Sequence, residues 1–200
     1  MKKRLKNLLL LAFLISGMGV LAIGLYVGYV MSDWNEDIDK EKIRQVILDI
    51  KAARQQDERL IALYNKIHKN ALEKSSWRNA WDSMWGQYNE CPCRNAVRMS
   101  RINKRHKLAE NDFAVSVRIE REVSQRDCLN FLFERTNYVY KNIGVDAASE
   151  YYFKKQVSEL NDDELIGLII MHKNPVLYNP IRSRDRWEAK IKEVKKELKL

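Results

Sequence analysis

Glycine and proline are scarce in this chain of 200 residues, which has seven glycines and three prolines. After residue 31 the only glycines are Gly86, Gly144 and Gly167. Sheet proteins with many tight turns use more of both residue types, because those turns need the backbone angles that glycine and proline supply. The scarcity therefore argues against a sandwich or barrel and predicts a mainly α-helical domain. With 46% hydrophobic residues, the chain also differs in composition from a disordered one.

Charge is absent from residues 8–31, which read LLLLAFLISGMGVLAIGLYVGYVM. A helix of that length crosses a hydrocarbon core of about 30 Å. Four basic residues precede this run, and the first acidic residue, Asp33, follows it. This asymmetry predicts a single transmembrane anchor with a cytoplasmic N-terminus and an exported domain. A cleaved signal peptide is the competing interpretation, but its apolar region spans about 7–15 residues.

The chain divides accordingly into a cytoplasmic tail at 1–7, a transmembrane anchor at 8–31, a polar linker at 32–40 and one domain at 41–200. A chain of this length has room for one domain beside an anchor. Apolar residues in the domain recur at the i, i+3, i+4, i+7 spacing of one helix face. Ile43, Val46, Ile47 and Ile50 have this spacing. Two further sets lie on one helix face by intervals of three or four residues: Leu60, Ile61, Tyr64 and Ile67, and Trp187, Ile191, Val194 and Leu198.

Two sequence patterns in the second half of the domain predict where helices begin. Ser124 with Asp127, and Asn161 with Glu164, have the spacing of a capping box, and an apolar run follows each pair. The segment 113–119 is ambiguous, because its apolar residues fit both a strand and a helix face.

Trp77, Trp81 and Trp85 lie four residues apart, as on one aromatic face of a helix. Packing into the core and a platform for sugar rings are the two interpretations of this stripe. We favour core packing, because large aromatic side chains dominate the energetics of protein cores.

Cysteine is rare, and its odd count of three limits the chemistry that it can support. An oxidising compartment permits one disulfide to Cys128, from either Cys91 or Cys93, with one thiol left free. The Cys-Pro-Cys segment lacks the second ligand pair of a strong zinc signature, and no histidine stands at a spacing that completes it.

Residues 98–107 are strongly basic and contribute to a net charge of +9. A basic surface attracts nucleic acid, acidic lipid head groups or pyrophosphates. An exported domain does not normally meet nucleic acid, so we expect lipid or pyrophosphate as the partner. A solvated helix face without a ligand is the alternative.

Residues 143–186 resemble the C-terminal part of glycosyltransferase family 51, the lipid II polymerases. The family has a G-I-x-A-A-x-x-Y-F pattern, a short helix start, an apolar helix, a P-x-x-Y-N-P motif and an arginine-rich segment, in that order. The resemblance implies a lysozyme-like, mainly α glycosyltransferase domain, which the family also places after one transmembrane helix. The matching residues are Gly144, Ala147, Ala148, Tyr152, Phe153, Leu160, Glu164, Pro175, Tyr178, Asn179, Pro180, Arg182 and Arg186.

The match to the family weakens upstream, where its catalytic motifs lie. Glu120 resembles the glutamate of the family's L-E-x-x-y-S-K helix, and counting back from it places Asp112 at the family's second important acid. The first motif, E-D-x-x-F-x-x-H-x-G, supplies the general base. Taking His68 as its histidine puts Ile61 at the base position, with Glu58 as the nearest candidate acid. The Gly-Gly loop of the next motif is absent, and the segment 91–100 stands roughly in its place.

The resemblance implies polymerisation of a lipid-linked disaccharide, in which a carboxylate takes a proton from the acceptor hydroxyl as the pyrophosphate-lipid leaves. Isoleucine cannot accept that proton, and general base catalysis contributes about 10²–10⁴-fold to a rate. We therefore expect a divergent member of this glycosyltransferase family, located in the cell envelope and anchored in the bacterial inner membrane. It would bind the lipid-linked precursor or a cell-wall synthase, with weak or no catalysis. An active lipid II polymerase with a relocated base is the alternative, and a purely structural envelope protein is a third class.

The candidate catalytic residues are Asp112 and Glu58. No cofactor is expected, although the resemblance leaves room for a divalent metal ion. The cations expected to contact the substrate pyrophosphate are Arg98, Arg101, Lys104 and Lys107.

Overall fold

The structure is a computed structural model, and it describes residues 16–29, 32, 39–100 and 109–199. Within these ranges the regular structure consists of ten α-helices, two 3₁₀ turns and one isolated antiparallel bridge. The prediction of a mainly helical chain is confirmed. The helices are α1 (16–29), α2 (Lys40–Ala52), α3 (Glu58–Ile67), α4 (Ser76–Met84), α5 (Pro92–Ser100), α6 (Ala109–Ile119), α7 (Gln125–Arg135), α8 (Val145–Phe153), α9 (Asp162–Lys173) and α10 (Arg184–Leu198), with 3₁₀ turns at Ala71–Glu73 and Val157–Glu159.

Side-chain caps set the starts of several helices. Asp39 accepts a hydrogen bond from the backbone N–H of Lys42 at the start of α2, and Asp57 accepts from those of Arg59 and Leu60 at the start of α3. Both predicted capping boxes are present, at α7 and α9. Each cap satisfies backbone donors that the first helical turn leaves open, so local sequence fixes these starts.

The ambiguous segment 113–119 is helical and belongs to α6. Its residues Ala114, Val115 and Ile119 are buried in one apolar cluster with side chains of α2, α5 and α7. Val115 and Ile119 are four residues apart, so a helix turns both toward the same core.

Two apolar clusters meet at α7. The first gathers residues of α2, α5, α6 and α7, including Ile50, Val97 and Leu132. The second gathers residues of α3, α7, α8 and α9, including Leu129 and Phe133. Because α7 supplies side chains to both clusters, six consecutive residues, 128–133, are buried. The last helix, α10, packs on α9 through a smaller cluster.

A disulfide joins Cys93 on α5 to Cys128 on α7, two of the four helices of the first cluster. Cys91 is left as a buried free thiol. Of the two pairings that the sequence left open, the structure therefore has the one from Cys93.

The three tryptophans of the predicted stripe are exposed, so the expectation that they pack into the core is wrong. Trp77, Trp81 and Trp85 expose 49%, 56% and 70% of their surface. The buried positions of α4 carry a serine, an asparagine and an aspartate instead. This helix meets its neighbours through polar contacts, such as the 2.8 Å hydrogen bond between the Ser76 and Ser116 hydroxyls.

The predicted anchor at 8–31 is described in part. Residues 16–29 form α1, with nearly all side chains exposed, and the rest of the anchor lies outside the described residues. The tail at 1–7 and most of the linker at 32–40 lie outside them as well. Across the described ranges, no helix combines the length and the apolar character that crossing a membrane requires.

Candidate functional site

The two carboxylates predicted for catalysis have different surroundings. Glu58, at the start of α3, pairs with Arg126 of α7 and borders a polar cavity of about 660 Å³. Asp112 lies on α6, where its Oδ2 accepts a hydrogen bond from Nε of Arg98 at 3.0 Å. Asp112 is not part of the lining of that cavity. Each acid is therefore engaged by an arginine on a different helix.

Ile61, at the position that the resemblance gives to the general base, is 3% exposed and packs beside Leu60 and Tyr64 in the second cluster. A side chain in that position neither contacts solvent nor accepts a proton. His68, the residue that sets this alignment, follows the last turn of α3, and its ring centroid is 4.4 Å from that of Tyr64.

Of the four cations predicted to contact pyrophosphate, the structure describes Arg98. Its guanidinium is half exposed and paired with Asp112, so an anion bound there would compete with that carboxylate. The other three, Arg101, Lys104 and Lys107, lie outside the described residues.

A second cavity, of about 370 Å³, gathers ionisable residues from distant parts of the chain. They come from the end of α3, the segment before α5 and the end of α9. We call it the histidine cavity. Its lining includes Tyr64, His68, Tyr88, Glu90, His172 and Lys173.

Glu90 is the carboxylate of the histidine cavity, and its side chain is only 12% exposed. Its Oε1 accepts a hydrogen bond from Nζ of Lys173 at 2.9 Å, and its Oε2 accepts one from Nδ2 of Asn95 at 3.0 Å. Burial raises the pKa of Glu90, but these hydrogen bonds outweigh burial and the net effect lowers it. Glu90 is therefore an ionised carboxylate at neutral pH.

Both histidines of the cavity are neutral at neutral pH, because burial lowers the pKa of His68 and of His172 to about 4. Nδ1 of His172 lies 2.8 Å from Oγ1 of Thr136. That hydroxyl also lies 2.8 Å from the carbonyl of Leu132, so it links the His172 imidazole to the end of α7.

The relationship of this chain to known proteins agrees with the resemblance in residues 143–186. The transglycosylase family model matches residues 93–199, which is more than half of the chain. The chain belongs to the transglycosylase family. It is also 30% identical over 76 residues, or 38% of its length, to penicillin-binding protein 1A of Escherichia coli (strain K12). That match covers 9% of the relative, so the chain corresponds to a small part of that protein.

The histidine cavity of this transglycosylase domain combines residues inside and outside the matched range. His172, Lys173 and Asn95 lie within it, whereas His68 and Glu90 precede it. Sequence reasoning did not select Glu90, His172 or Lys173 as site residues. The sequence did offer one indication for Glu90, its position. It directly precedes the segment 91–100, which stands roughly in the place of the family's Gly-Gly loop.

Glu120 holds a polar cluster together instead of lining either cavity. Its carboxylate accepts hydrogen bonds from the backbone N–H of Ser76 at 2.9 Å and from Nε2 of Gln125 at 2.5 Å. The Cys91 thiol lies 3.8 Å from Oε1 of Gln125, and burial raises the pKa of this thiol. This part of the transglycosylase domain is scaffold that joins α4, α6 and α7.

The C-terminal residues that match the transglycosylase family are also largely structural. Asn179 is buried, and its Nδ2 donates to the hydroxyl of Tyr152 at 3.1 Å. That hydroxyl in turn donates to the carbonyl of Tyr138 at 2.7 Å. Ala148 is fully buried and Ala147 is half-buried, as their small side chains allow close packing of α8.

Among the residues that the structure describes, no three His, Cys, Asp or Glu side chains gather in an arrangement that could hold a metal ion.

Proposed function

We propose that this chain is a membrane-anchored, divergent peptidoglycan glycosyltransferase-like protein of the cell envelope. It binds the lipid-linked precursor or a cell-wall synthase and catalyses glycosyl transfer weakly or not at all. The observation that carries the proposal is Ile61, because the base position holds an isoleucine inside the core. Glu58 and Asp112 lie apart, each paired with an arginine of a different helix, which also supports it.

The polar head of the precursor is assigned to the histidine cavity. The cavity contains the ion pair of Lys173 with Glu90, and neutral His68 and His172 bring further hydrogen-bonding groups. A concave site with a few convergent polar groups is the usual form of a small-molecule site. Arg98, with the basic run that follows it, remains the proposed contact for the pyrophosphate.

Attachment to the bacterial inner membrane, with the domain on the outer side, is part of the same proposal. The backbone carbonyl of Ser32, just after the predicted anchor, accepts a hydrogen bond from Arg118 of α6 at 2.5 Å. The same helix carries Phe113, whose ring lies 4.7 Å from that of the exposed Trp77. Trp77 of α4 and Ser32, just after the predicted anchor, therefore contact the same helix, α6, and tryptophan favours the membrane interface.

The chemical part is tested with the purified full chain in nanodiscs that contain lipid II. We expect saturable binding of lipid II and no glycan polymer, beside an active polymerase as the positive control. Robust polymer that is lost in Asp112→Asn would overturn the proposal and establish Asp112 as part of an active site.

An active polymerase with a relocated base is the second candidate, and Glu90 is the observation that favours it. It is a carboxylate within the same cavity as His68, the residue that resembles the motif histidine. If polymer forms, Glu90→Gln should abolish it, whereas Glu150→Gln, which changes an exposed carboxylate beside the larger cavity, should not.

Two experiments test the proposed membrane attachment: one measures the topology of the chain, and the other measures whether the exposed tryptophans contact lipid. Protease added outside intact cells should digest the chain from residue 32 onward and spare a tag placed before Lys2. In nanodiscs with brominated lipid, quenching of tryptophan fluorescence should fall in the double variant Trp81→Ala/Trp85→Ala and persist in Trp187→Phe. A domain protected from protease, or equal quenching in both variants, would contradict this part.

A further inference from the structure

A smaller cavity, of about 240 Å³, lies along one face of α2. The residues of α2 that line it recur every three or four positions, so they share one face of the helix. They include Lys40, Arg44, Leu48 and Lys51. Glu122, in the turn after α6, completes the lining from the other side. We call this cavity the α2 pocket.

The α2 pocket combines an apolar floor with a basic rim. Ile43 and Ile47 line it and are buried in the first cluster, whereas Leu48 beside them is 54% exposed. Three cations of α2 border these apolar side chains. Long basic side chains lay their methylene groups on apolar surface and keep the charge at its edge. This composition matches a ligand that has both a hydrocarbon part and an anionic group.

The cations of the α2 pocket can take an anionic ligand at little cost. Arg44 pairs with Glu41 at 2.8 Å, but the two side chains are 72% and 78% exposed. Lys51 pairs with Glu122 at 2.9 Å, and both of these side chains are about half exposed. Exposed ion pairs contribute little free energy, so a phosphate can replace the carboxylate in them. Among the residues that the structure describes, no carboxylate pairs with Lys40.

The α2 pocket lies beside the end of the predicted anchor. The carbonyl of Ser32 accepts a hydrogen bond from Arg118, and Glu122 of the pocket follows that arginine by four residues in the chain. The backbone N–H of Glu122 donates to the carbonyl of Ile119 at 2.9 Å, so this turn continues directly from α6. In the proposed attachment the pocket is therefore close to the membrane surface, where anionic head groups attract basic side chains over a short range.

We propose that the α2 pocket binds one anionic phospholipid of the surrounding bilayer. The lipid phosphate pairs with Lys40 and Arg44 in place of Glu41, and one acyl chain packs against Leu48. This inference rests on the membrane attachment proposed above. The pocket shares no lining residue with the histidine cavity, so the phospholipid and the lipid-linked precursor occupy different places.

The test uses the full chain in nanodiscs without lipid II. Discs of phosphatidylcholine alone, and discs that also contain phosphatidylglycerol, separate attachment from headgroup selection. The chain should enter both kinds of disc, and native mass spectrometry of chains released from the mixed discs should show one retained phosphatidylglycerol. Equal retention of the two lipids would overturn the pocket and leave the attachment intact. A chain that enters neither disc would overturn the attachment and the pocket with it.

The charged rim is tested by a pair of double variants that remove the same charge. Lys40→Gln/Arg44→Gln should lower retention of phosphatidylglycerol about tenfold, because each cation near an anionic surface adds to binding. Lys192→Gln/Lys196→Gln removes two exposed lysines of α10 and should retain the lipid as wild type does. Equal losses in the two double variants would show general attraction to a basic protein in place of a defined site.

The apolar floor distinguishes a phospholipid from a free anion. Leu48→Gln should lower retention of phosphatidylglycerol, whereas Val176→Gln, at a residue that is 65% exposed and outside the pocket, should not. Inorganic phosphate should fail to displace the retained lipid. Displacement by phosphate, or an unchanged Leu48→Gln, would show a site for a free anion and contradict the proposal.

Glu122 gives a prediction of opposite sign. Its carboxylate competes with the lipid phosphate for Lys51, so Glu122→Gln should increase retention of phosphatidylglycerol. Glu197→Gln removes an exposed carboxylate of α10 and should leave retention unchanged. Lower retention in Glu122→Gln would mean that the phosphate does not reach this pocket.

Discussion

Nζ of Lys173 lies 2.9 Å from Oε1 of Glu90, although 83 residues separate the two in the chain. The pair joins the end of α9 to the segment before α5 and forms one wall of the histidine cavity. Glu90 contributes a side chain that is 12% exposed, whereas that of Lys173 is 64% exposed. The carboxylate therefore depends on Lys173 and Asn95 for the interactions that it loses with water.

Replacing Lys173 with methionine should destabilise the fold, because a buried carboxylate loses its cation. We expect a loss of about 1–3 kcal/mol at pH 7, at the lower end of the range for broken buried pairs because Lys173 is largely exposed. Urea unfolding measures this change. Lys192→Met removes an exposed lysine and should be nearly neutral, so equal losses in the two variants would contradict the role of the pair.

Stability should fall as the pH falls from about 6.5 to about 4. The pKa values of His68 and His172 are lowered from 6.5 to about 4 by burial. In this window the unfolded chain binds protons that the folded histidines do not, so protons favour unfolding. The loss is on the order of 3 kcal/mol per histidine across the window.

Urea midpoints measured at several pH values test this dependence, and His172→Gln should flatten it. Glu90, whose pKa is lowered below its ordinary 4.5, adds a further loss of stability as the pH falls through 4.5 and below. A wild-type protein with constant stability between pH 6.5 and pH 4 would show that the histidines are not buried in their neutral form.

Reducing the disulfide between Cys93 and Cys128 should lower the free energy of unfolding. The two residues are 35 positions apart, and closing a loop of that length stabilises a fold by about 4 kcal/mol in the chain-entropy treatment. Thermal unfolding with and without reductant measures the change. Cys91→Ala keeps the disulfide and should retain the response to reductant, whereas Cys93→Ser/Cys128→Ser should lose it.

Gly167 is required on α9 by the ring of Trp187 on α10. A Cβ at this position would lie 2.4 Å from Cζ2 of that ring. Gly167→Ala should therefore destabilise by about 1–3 kcal/mol through overpacking, although alanine is the better helix former.

The double variant Gly167→Ala/Trp187→Leu tests that reason through a double-mutant cycle. Leucine leaves room for the new methyl group, so the double variant should lose less stability than the two single variants added together. Strictly additive losses would place the effect of Gly167 elsewhere.

The sequence alone was sufficient for features set over short distances in the chain. The helical spacing of Ile43, Val46, Ile47 and Ile50, and the capping boxes at α7 and α9, depend on residues within two turns. Family membership was also readable, because the matching residues of 143–186 are contiguous scaffold. The predicted burial of the tryptophan stripe was wrong, because the spacing of residues shows that their side chains share one helix face but does not show whether that face is buried.

The tertiary structure decided what lies together across the fold. The choice of Cys93 over Cys91, the meeting of Glu90 with Lys173, and the separate partners of Glu58 and Asp112 depend on how helices pack, and no local pattern encodes that. Sequence reasoning located the helices and the family, while packing selected which side chains face one another and so where ligands can bind.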